Sequence, residues 1–459
     1  MNTTDGAAHG LRGVRGLLAA MVMACLLAGC GGGDSGGSAA GACADSARKT
    51  WLRAYFDDTY FWTALSPKPA ADGPETLAEY FQALRYTGTD PRFPADRWSY
   101  STPTEVFSRF FSDGRALGYG LNVAGLEVAG RPDAPLYVRY VEPGSPADLA
   151  GLQRGDQVLT LNGRSASAVI ASNDYTPLTP AAAGDSLSVT VQRAGQAISR
   201  TLVAAVYALV PVNGETLLRS AGGRLVGYLM VKDMVRQAES PYDAAFGRFR
   251  AAGLDDLVID LRYNGGGFVS TSQLLASYVS AQRTAGRVYT SLSFNSAHSA
   301  SNQSFNFTAP GSAAQLPRVY VLTGPRTCSA SELLVNGLRP FVDVVTIGAT
   351  SCGKPVGFQS TADACGSTWS VVNFEAVNAN GVGRYWNGLA PTCAVAEDFQ
   401  RALGQSAEPL LGAALAHADS GQCPAAAVGQ ASAQAARRVG PLTPQGDPDD
   451  AWRGGMRLR

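Results

Sequence analysis

Ser329 and Ser331 stand in the run RTCSASELLVNGL, Arg326 to Leu338, just ahead of an apolar, helix-like segment. A serine hydroxyl becomes a nucleophile when a neighbouring base can take its proton. Ser329 and Glu332 also fit the S-x-x-E capping box, in which the two side chains satisfy free N–H groups where a helix begins. The run alone admits both readings, and deciding between them requires a base.

Histidine is the usual partner, and the chain has three, His9, His298 and His417. His9 lies in an N-terminal leader and no motif surrounds the other two, so a Ser-His-Asp triad has no support. Lysine is nearly as scarce. Lys49, Lys68 and Lys232 have polar or charged neighbours and read as solvent-facing. Lys354 instead stands in GATSCGKPVGF, a loop of small and apolar residues after an apolar strand, with Asp343 and Asp363 as its nearest acids in sequence. At an ordinary pKa of about 10.4, only about one lysine in 2,500 is neutral at pH 7. Burial that lowers the pKa to about 7 costs roughly 4 to 5 kcal/mol and yields a usable amine base. The loop is equally compatible with an exposed lysine.

These residues need a scaffold. Between about Tyr207 and Cys423, strands and helices alternate. RLVGYLMV predicts a strand, and Ser240-Pro241 opens a helix with Tyr242, Ala245, Phe246 and Phe249 on one face. DLVIDLR predicts a buried strand leading into YNGGG, while RVYVLTG and VDVVTIGA flank the Ser329 segment. Buried strands separated by helices argue for a layered α/β domain, in which chemistry gathers in loops at the strands' carboxyl ends. YNGGG and TCSAS occupy such loops. From about Gly114 to Val206, strand and turn signals predict a β-rich unit. From Cys43 to about Asp113, Trp51, Leu52, Tyr55 and Phe56, then Leu77, Tyr80, Phe81 and Leu84, recur at helical spacing. DRWSY, Asp96 to Tyr100, ends that region with no evident chemical role.

Apolar residues make up 46% of the chain and charged ones 16%, with zero formal net charge, which gives no electrostatic case for nucleic acid. Arg12 and Arg15 precede the apolar run GLLAAMVMACLLAG, which is too short for the roughly 20 residues of a spanning helix and reads as a cleaved leader. Its end, Leu27-Ala28-Gly29-Cys30, resembles the lipobox of bacterial lipoproteins. That resemblance implies lipidation of Cys30, a membrane anchor and a position in the bacterial cell envelope facing the periplasm. GGGDSGGSAAGA would be the tether. Without Cys25 and Cys30, six cysteines remain, Cys43, Cys328, Cys352, Cys365, Cys393 and Cys423, an even set that predicts disulfides whose pairing is left open. With no C-x-x-C pair, a zinc site is disfavoured. The Ala-, Gly-, Pro- and Gln-rich tail, 424–459, predicts disorder.

EPGSPADLAGLQRGDQVLTLNG, preceded by Gly118-Tyr119-Gly120-Leu121, resembles a PDZ domain. In that family the Gly-apolar-Gly-apolar loop presents backbone N–H groups to a terminal carboxylate, and the peptide adds a strand to the sheet edge. DLRYNGGG, TCSASELLVNGL and IGATSCGKPVGFQ follow in that order. Together with the PDZ-like segment they resemble the C-terminal processing (tail-specific) serine peptidases, over about 280 residues from Gly118 to about Val395. The resemblance implies an α/β crotonase/Clp-protease-like core with an inserted or preceding PDZ-like β-rich domain and an N-terminal helical region. The expected divisions are a leader 1–30, tether 31–42, helical region 43–113, PDZ-like domain 114–206, peptidase domain 207–423 and tail 424–459.

The resemblance places the nucleophile on Ser329 and the general base 25 residues later, on Lys354, leaving Ser331 structural. It implies oxyanion donors at the Ala330 N–H and in the glycine loop, at Gly266 or Gly267. The family often carries a glutamine four residues after the lysine; this chain has Phe358 there and Gln359 one later, so a small bulge would be needed to bring Gln359 to the amine. A Cys328–Cys352 disulfide would brace the pair. The implied activity is a serine endopeptidase, without metal or organic cofactor, acting on unfolded or tailed proteins with apolar C-termini. The alternative is an inactive PDZ-containing adapter on the same fold.

Overall fold

The computed structural model describes residues 39–73, 75–425 and 455–458. Among them, no helix is long and apolar enough to cross a membrane.

The sheet at the centre contains β6 (Val212–Arg219), β7 (Leu225–Val231), β8 (Asp256–Asp260), β12 (Arg318–Thr323), β13 (Asp343–Gly348) and β16 (Cys393–Ala394), in that spatial order. All neighbours are parallel except the β6–β7 hairpin pair. Both faces are covered, which explains the unbroken apolar runs seen in the sequence. Leu229, Val231, Ile259 and Val321 pack on one face with helices α4 (Glu239–Ala252), α5 (Val269–Val279) and α6 (Ala330–Leu338). Tyr228, Met230, Val258 and Leu322 pack on the other with α7 (Pro409–Ser420). Gly253 ends α4 in the left-handed conformation at φ 70°, as its sequence position predicts.

A second sheet has the order β9 (Gly266–Phe268), β17 (Gly455–Arg457), β14 (Val356–Phe358), β15 (Val372–Val377), β10 (Val288–Phe294) and β11 (Gln303–Asn306). At Gly455–Arg457, β17 corrects the expectation of a disordered tail, while 426–454 lie outside the described residues. Gly455–Arg457 is buried, and Met456 belongs to the main core. Composition averaged over the tail could not reveal a three-residue strand whose partners lie about 100 and 190 residues earlier.

The PDZ-like unit has its own core around Leu136, Val138, Leu161, Val189 and Val169, the last on α3 (Ala166–Ser172). Its antiparallel sheet runs β1 (Leu121–Val123), β2 (Leu136–Val141), β3 (Gln157–Leu161), β4 (Ser186–Arg193) and β5 (Gln196–Val203). In the N-terminal region, α1 (Asp45–Thr59) and α2 (Leu77–Leu84) bring Phe56, Tyr60, Trp62, Tyr80 and Phe81 against Val356, Phe358 and Trp369. The helical spacing read from the sequence thus builds a wall behind β14, the strand that follows Lys354.

Candidate active site

Three loops converge where the central sheet's strands end. Arg262, fully buried after β8, fixes the first by pairing with Asp260 at 2.9 Å and with both Glu408 oxygens at 2.8 and 2.9 Å. Asn264 then donates to Val231 O at 2.9 Å and accepts from Gly266 N–H at 2.8 Å. Gly266 and Gly267 have φ of 115° and 137°, which side-chain-bearing residues rarely adopt.

The second loop holds the two serines, and they differ. Ser331 Oγ is hydrogen-bonded to Asn264 Oδ1 at 2.8 Å and Asn264 O at 3.0 Å, so it ties the loops together. Ser329 Oγ is fully buried and has no hydrogen-bond partner among the described residues. Its backbone, at φ 61° and ψ −111°, lies outside the regions a serine ordinarily occupies, and such strain persists where surrounding structure enforces it, commonly at functional sites. Residues 329–332 have the outline of a capping box, but only the glutamate half is a full hydrogen bond: Ser329 N–H donates to Glu332 at 2.8 Å. Ala330 begins α6, and its N–H meets no acceptor among the described residues.

Glu332 does more than cap. Its buried carboxylate also accepts from Lys354 N–H and Gly353 N–H, both at 2.8 Å, and from Ser351 Oγ. One side chain therefore holds the backbones of Ser329 and Lys354 together. Burial pushes its carboxyl above the usual range, against the opposing pull of these donors. The Cys328–Cys352 disulfide joins the same two loops, while Cys43 pairs with Cys365 and Cys393 with Cys423.

Lys354 is 3% exposed, and burial pushes its amine down to about 7 against the pull of Asp96 and Glu332. No carboxylate among the described residues lies within ion-pair distance of it. The other lysines do have partners: Lys68 meets Asp57 at 3.4 Å, Lys232 meets Glu142 at 3.7 Å, and Lys49 donates to Gly73 O at 2.8 Å. Lys49 and Lys232 are buried, which corrects their solvent-facing reading. The two described histidines are committed elsewhere, His298 to Asp58 and His417 to Tyr320.

Two nominated groups are not brought to the site as expected. Gln359 is exposed, and its backbone N–H goes to Asn373. The irregularity in the β14–β15 pairing places the extra residue, Asn373, on β15, so it does not turn Gln359 inward. Adjacent strand residues point to opposite faces, and Phe358 is the one whose ring lies 4.1 Å from Lys354 Nζ. The Gly266 N–H is occupied by Asn264, which leaves Gly267 as the glycine-loop donor.

The sequence also missed DRWSY. Asp96, buried, accepts from Tyr60 OH at 2.7 Å and Ser99 Oγ at 2.6 Å, and its charge acts on Lys354. Arg97 donates to Cys352 O at 3.4 Å and Trp386 O at 3.1 Å. The signal in the sequence was an acid set among aromatic residues, Asp96 between Phe93 and Trp98; its approach to Lys354 comes only with the fold.

At the PDZ-like unit, Tyr119 and Leu121 are core residues, so any ligand contact by this loop is through backbone. Gly120 has φ 71°, and a Cβ there would stand 2.1 Å from Ser145. A cavity of about 170 Å³ opens beside the loop, bounded by Arg109, Arg115, Leu178, Pro180 and Tyr207.

Residues 225–395 match peptidase family S41, and residues 137–193 match a PDZ domain. The chain is 26% identical over 305 residues to the carboxy-terminal processing protease CtpB of Bacillus subtilis, an alignment covering 65% of this chain and 60% of that protein. It is 26% identical over 260 residues to the carboxyl-terminal-processing protease of Synechocystis, covering 56% and 58%. The chain thus spans under two thirds of the length of these relatives. Among solved structures, a putative S41 protease from Bacteroides fragilis superimposes with a TM-score of 0.64 at 24% identity, covering 81% of this chain and 97% of that one. The photosystem II D1 C-terminal processing protease gives 0.50 at 19%, covering 80% and 99%. This protein therefore carries a peptidase family S41 domain and a PDZ domain in the fold of S41 proteases, and its relatives are carboxy-terminal processing proteases.

Proposed function

We propose that the protein is a serine endopeptidase with a Ser329–Lys354 dyad, acting on unfolded or C-terminally tailed proteins delivered by the PDZ domain. The observation that carries this reading is the contrast at the Glu332 clamp: of two neighbouring serines, it is the unbonded, strained one that Glu332 ties to a buried lysine with no ion-pair partner among the described residues. The neutral Lys354 amine takes the Ser329 proton as Oγ attacks the peptide carbonyl carbon. The N–H groups of Ala330, at the positive end of α6, and Gly267 hold the oxyanion. Protonated Lys354 gives its proton to the leaving amine; in deacylation Lys354 takes a proton from the attacking water and passes it to Ser329 Oγ as the acyl group leaves, regenerating the neutral amine and the hydroxyl.

The backbone of the Gly118-Tyr119-Gly120-Leu121 loop, beside Arg109 and Arg115, would receive a substrate's terminal carboxylate. The test is turnover of an unfolded protein ending in apolar residues, compared with the same protein amidated at its C-terminus. The free carboxylate form should be cleaved at least about tenfold more efficiently, mainly through a lower KM. Equal turnover removes the carboxylate role, and no turnover of either removes the peptidase reading. The second reading, an inactive PDZ adapter, draws on the placement of Phe358 where an amine-orienting glutamine was expected.

The leader extends the proposal to place: Cys30, outside the described residues, carries a lipid anchor and the catalytic domain faces the periplasm. Cys30→Ser should shift the protein from the membrane to the soluble fraction on cell fractionation; unchanged membrane association would refute the anchor.

A further inference from the structure

The glycine-loop sheet is completed by Gly455–Arg457, a segment distant in sequence from both of its neighbours. β17 lies between β9 and β14, parallel to both, pairing Gly455 with Gly266, Met456 with Gly267 and Gly357, and Arg457 with Phe268 and Phe358. Gly455 N–H donates to Gly265 O at 2.9 Å, and Leu458 N–H donates to Phe358 O at 3.1 Å. In this register the Gly267 N–H, the remaining glycine-loop donor, is the ladder partner of the Gly455 carbonyl. Because β9 follows the glycine loop and β14 follows Lys354, this short strand crosses the candidate site.

Its walls admit a backbone because they lack side chains. A Cβ on Gly266 would stand 3.0 Å from Gly455 N, and one on Gly357 would stand 2.6 Å from Met456 O. The three occupied positions differ in chemistry. At Gly455 there is no room for a side chain, since a Cβ would lie 2.9 Å from the Phe358 ring and 3.2 Å from Lys354 Nζ. Met456 is fully buried among apolar groups. The Arg457 guanidinium is ringed by Phe111, Phe107, Phe358 and Tyr100 at 4.3, 4.9, 5.4 and 5.6 Å, and donates to the hydroxyls of Ser360 and Ser370. Aromatic faces attract a desolvated cation, and Arg also stacks on them.

We propose that the slot between β9 and β14 is a peptide-binding channel that reads glycine, an apolar residue and a cation in succession, and that Gly455–Leu458 is its tethered occupant, a competitive inhibitor built into the chain. Occupancy uses both strand edges, as in recognition by strand addition, and a tethered ligand rebinds at high effective concentration. Only the inhibitory consequence rests on the peptidase reading; the channel and its preference do not.

The test uses the full chain. A fluorescein-labelled peptide RGGMRLR, the sequence of residues 453–459, is titrated by anisotropy into Ser329→Ala and into Ser329→Ala/Arg457→Glu, in which the tail is expelled. Binding should be at least about tenfold tighter to the double variant, about tenfold weaker when alanine replaces the peptide arginine in the GMR motif, and largely kept with lysine there. With Ser329 intact, Arg457→Glu should speed turnover of an unfolded substrate by about tenfold. If the peptide binds both chains equally, binds neither, or ignores loss of that arginine, the channel proposal is wrong and β17 is only a structural strand. If the peptide binds as expected but no variant turns over substrate, the channel stands and the peptidase reading falls. Should Arg457→Glu not fold, a site-specific protease sequence inserted within residues 426–454 allows the tail to be cut after folding, and the same two readouts decide.

Discussion

Ser329→Ala and Lys354→Ala should each lower kcat on an unfolded protein substrate by about 10⁴-fold or more, and the double variant should be no worse than either single one, because the two groups act as a unit. Lys354→Arg should be equally inactive: a guanidinium stays protonated and cannot accept the Ser329 proton. Stability should move differently. Ser329 Oγ makes no hydrogen bond, so Ser329→Ala should leave the melting temperature nearly unchanged. Ser331→Ala removes the link to Asn264 and should cost about 1 to 2 kcal/mol. Kinetics on all five variants, with thermal melts of Ser329→Ala and Ser331→Ala beside the parent, check this. An active Ser329→Ala alongside an inactive Ser331→Ala would reassign the nucleophile.

Lys354→Met should stabilise the protein at and below neutral pH by roughly 4 kcal/mol while abolishing activity, a stability gain at the expense of function. The sign follows from the amine's downward shift from 10.5 to about 7. Below about pH 7 the amine is protonated in both folded and unfolded states, and the folded state bears the full cost of a desolvated charge. Between about 7 and 10.5 the unfolded state binds more protons, so wild-type stability rises with pH through that window. Lys354→Met lacks this slope, and the two denaturation curves should converge toward pH 10. Activity should rise with pH as the amine neutralises near 7. Parallel denaturant midpoints for both proteins from pH 6 to 10 would show that Lys354 carries no such cost.

Local chemistry was legible wherever a residue's neighbours in sequence are also its neighbours in space. The apolar runs RLVGYLMV and DLVIDLR became the buried strands β7 and β8, and Gly253 capped α4. The aromatic spacing of Trp51 to Phe56 marked a packed helix. The even cysteine count matched three disulfides, although their pairing depended on which loops meet. Lys354 stood out because small and apolar residues surround it along the chain, and its desolvation in the fold has the same origin.

Reading failed where contacts cross long separations. The burial of Lys49 and Lys232 depends on partners that other segments bring to them, such as Gly73 O and Glu142. Gln359 stays away from the amine because one step along a pleated strand reverses the face, and the bulge that could have compensated fell on the partner strand.

By itself, then, the sequence determined the local inventory: two serines at a helix start, one lysine in an apolar loop, a glycine run after a buried strand and an apolar N-terminal run followed by a cysteine. Tertiary structure alone decided which serine is unbonded, that Glu332 ties the two loops, that Asp96 acts on the amine and that Gly455–Arg457 lies across the site. Spacing and composition record short-range preferences for helix, strand and burial. Hydrogen-bond partners and electrostatic neighbours are set by close approach between segments tens to hundreds of residues apart, which only chain folding produces.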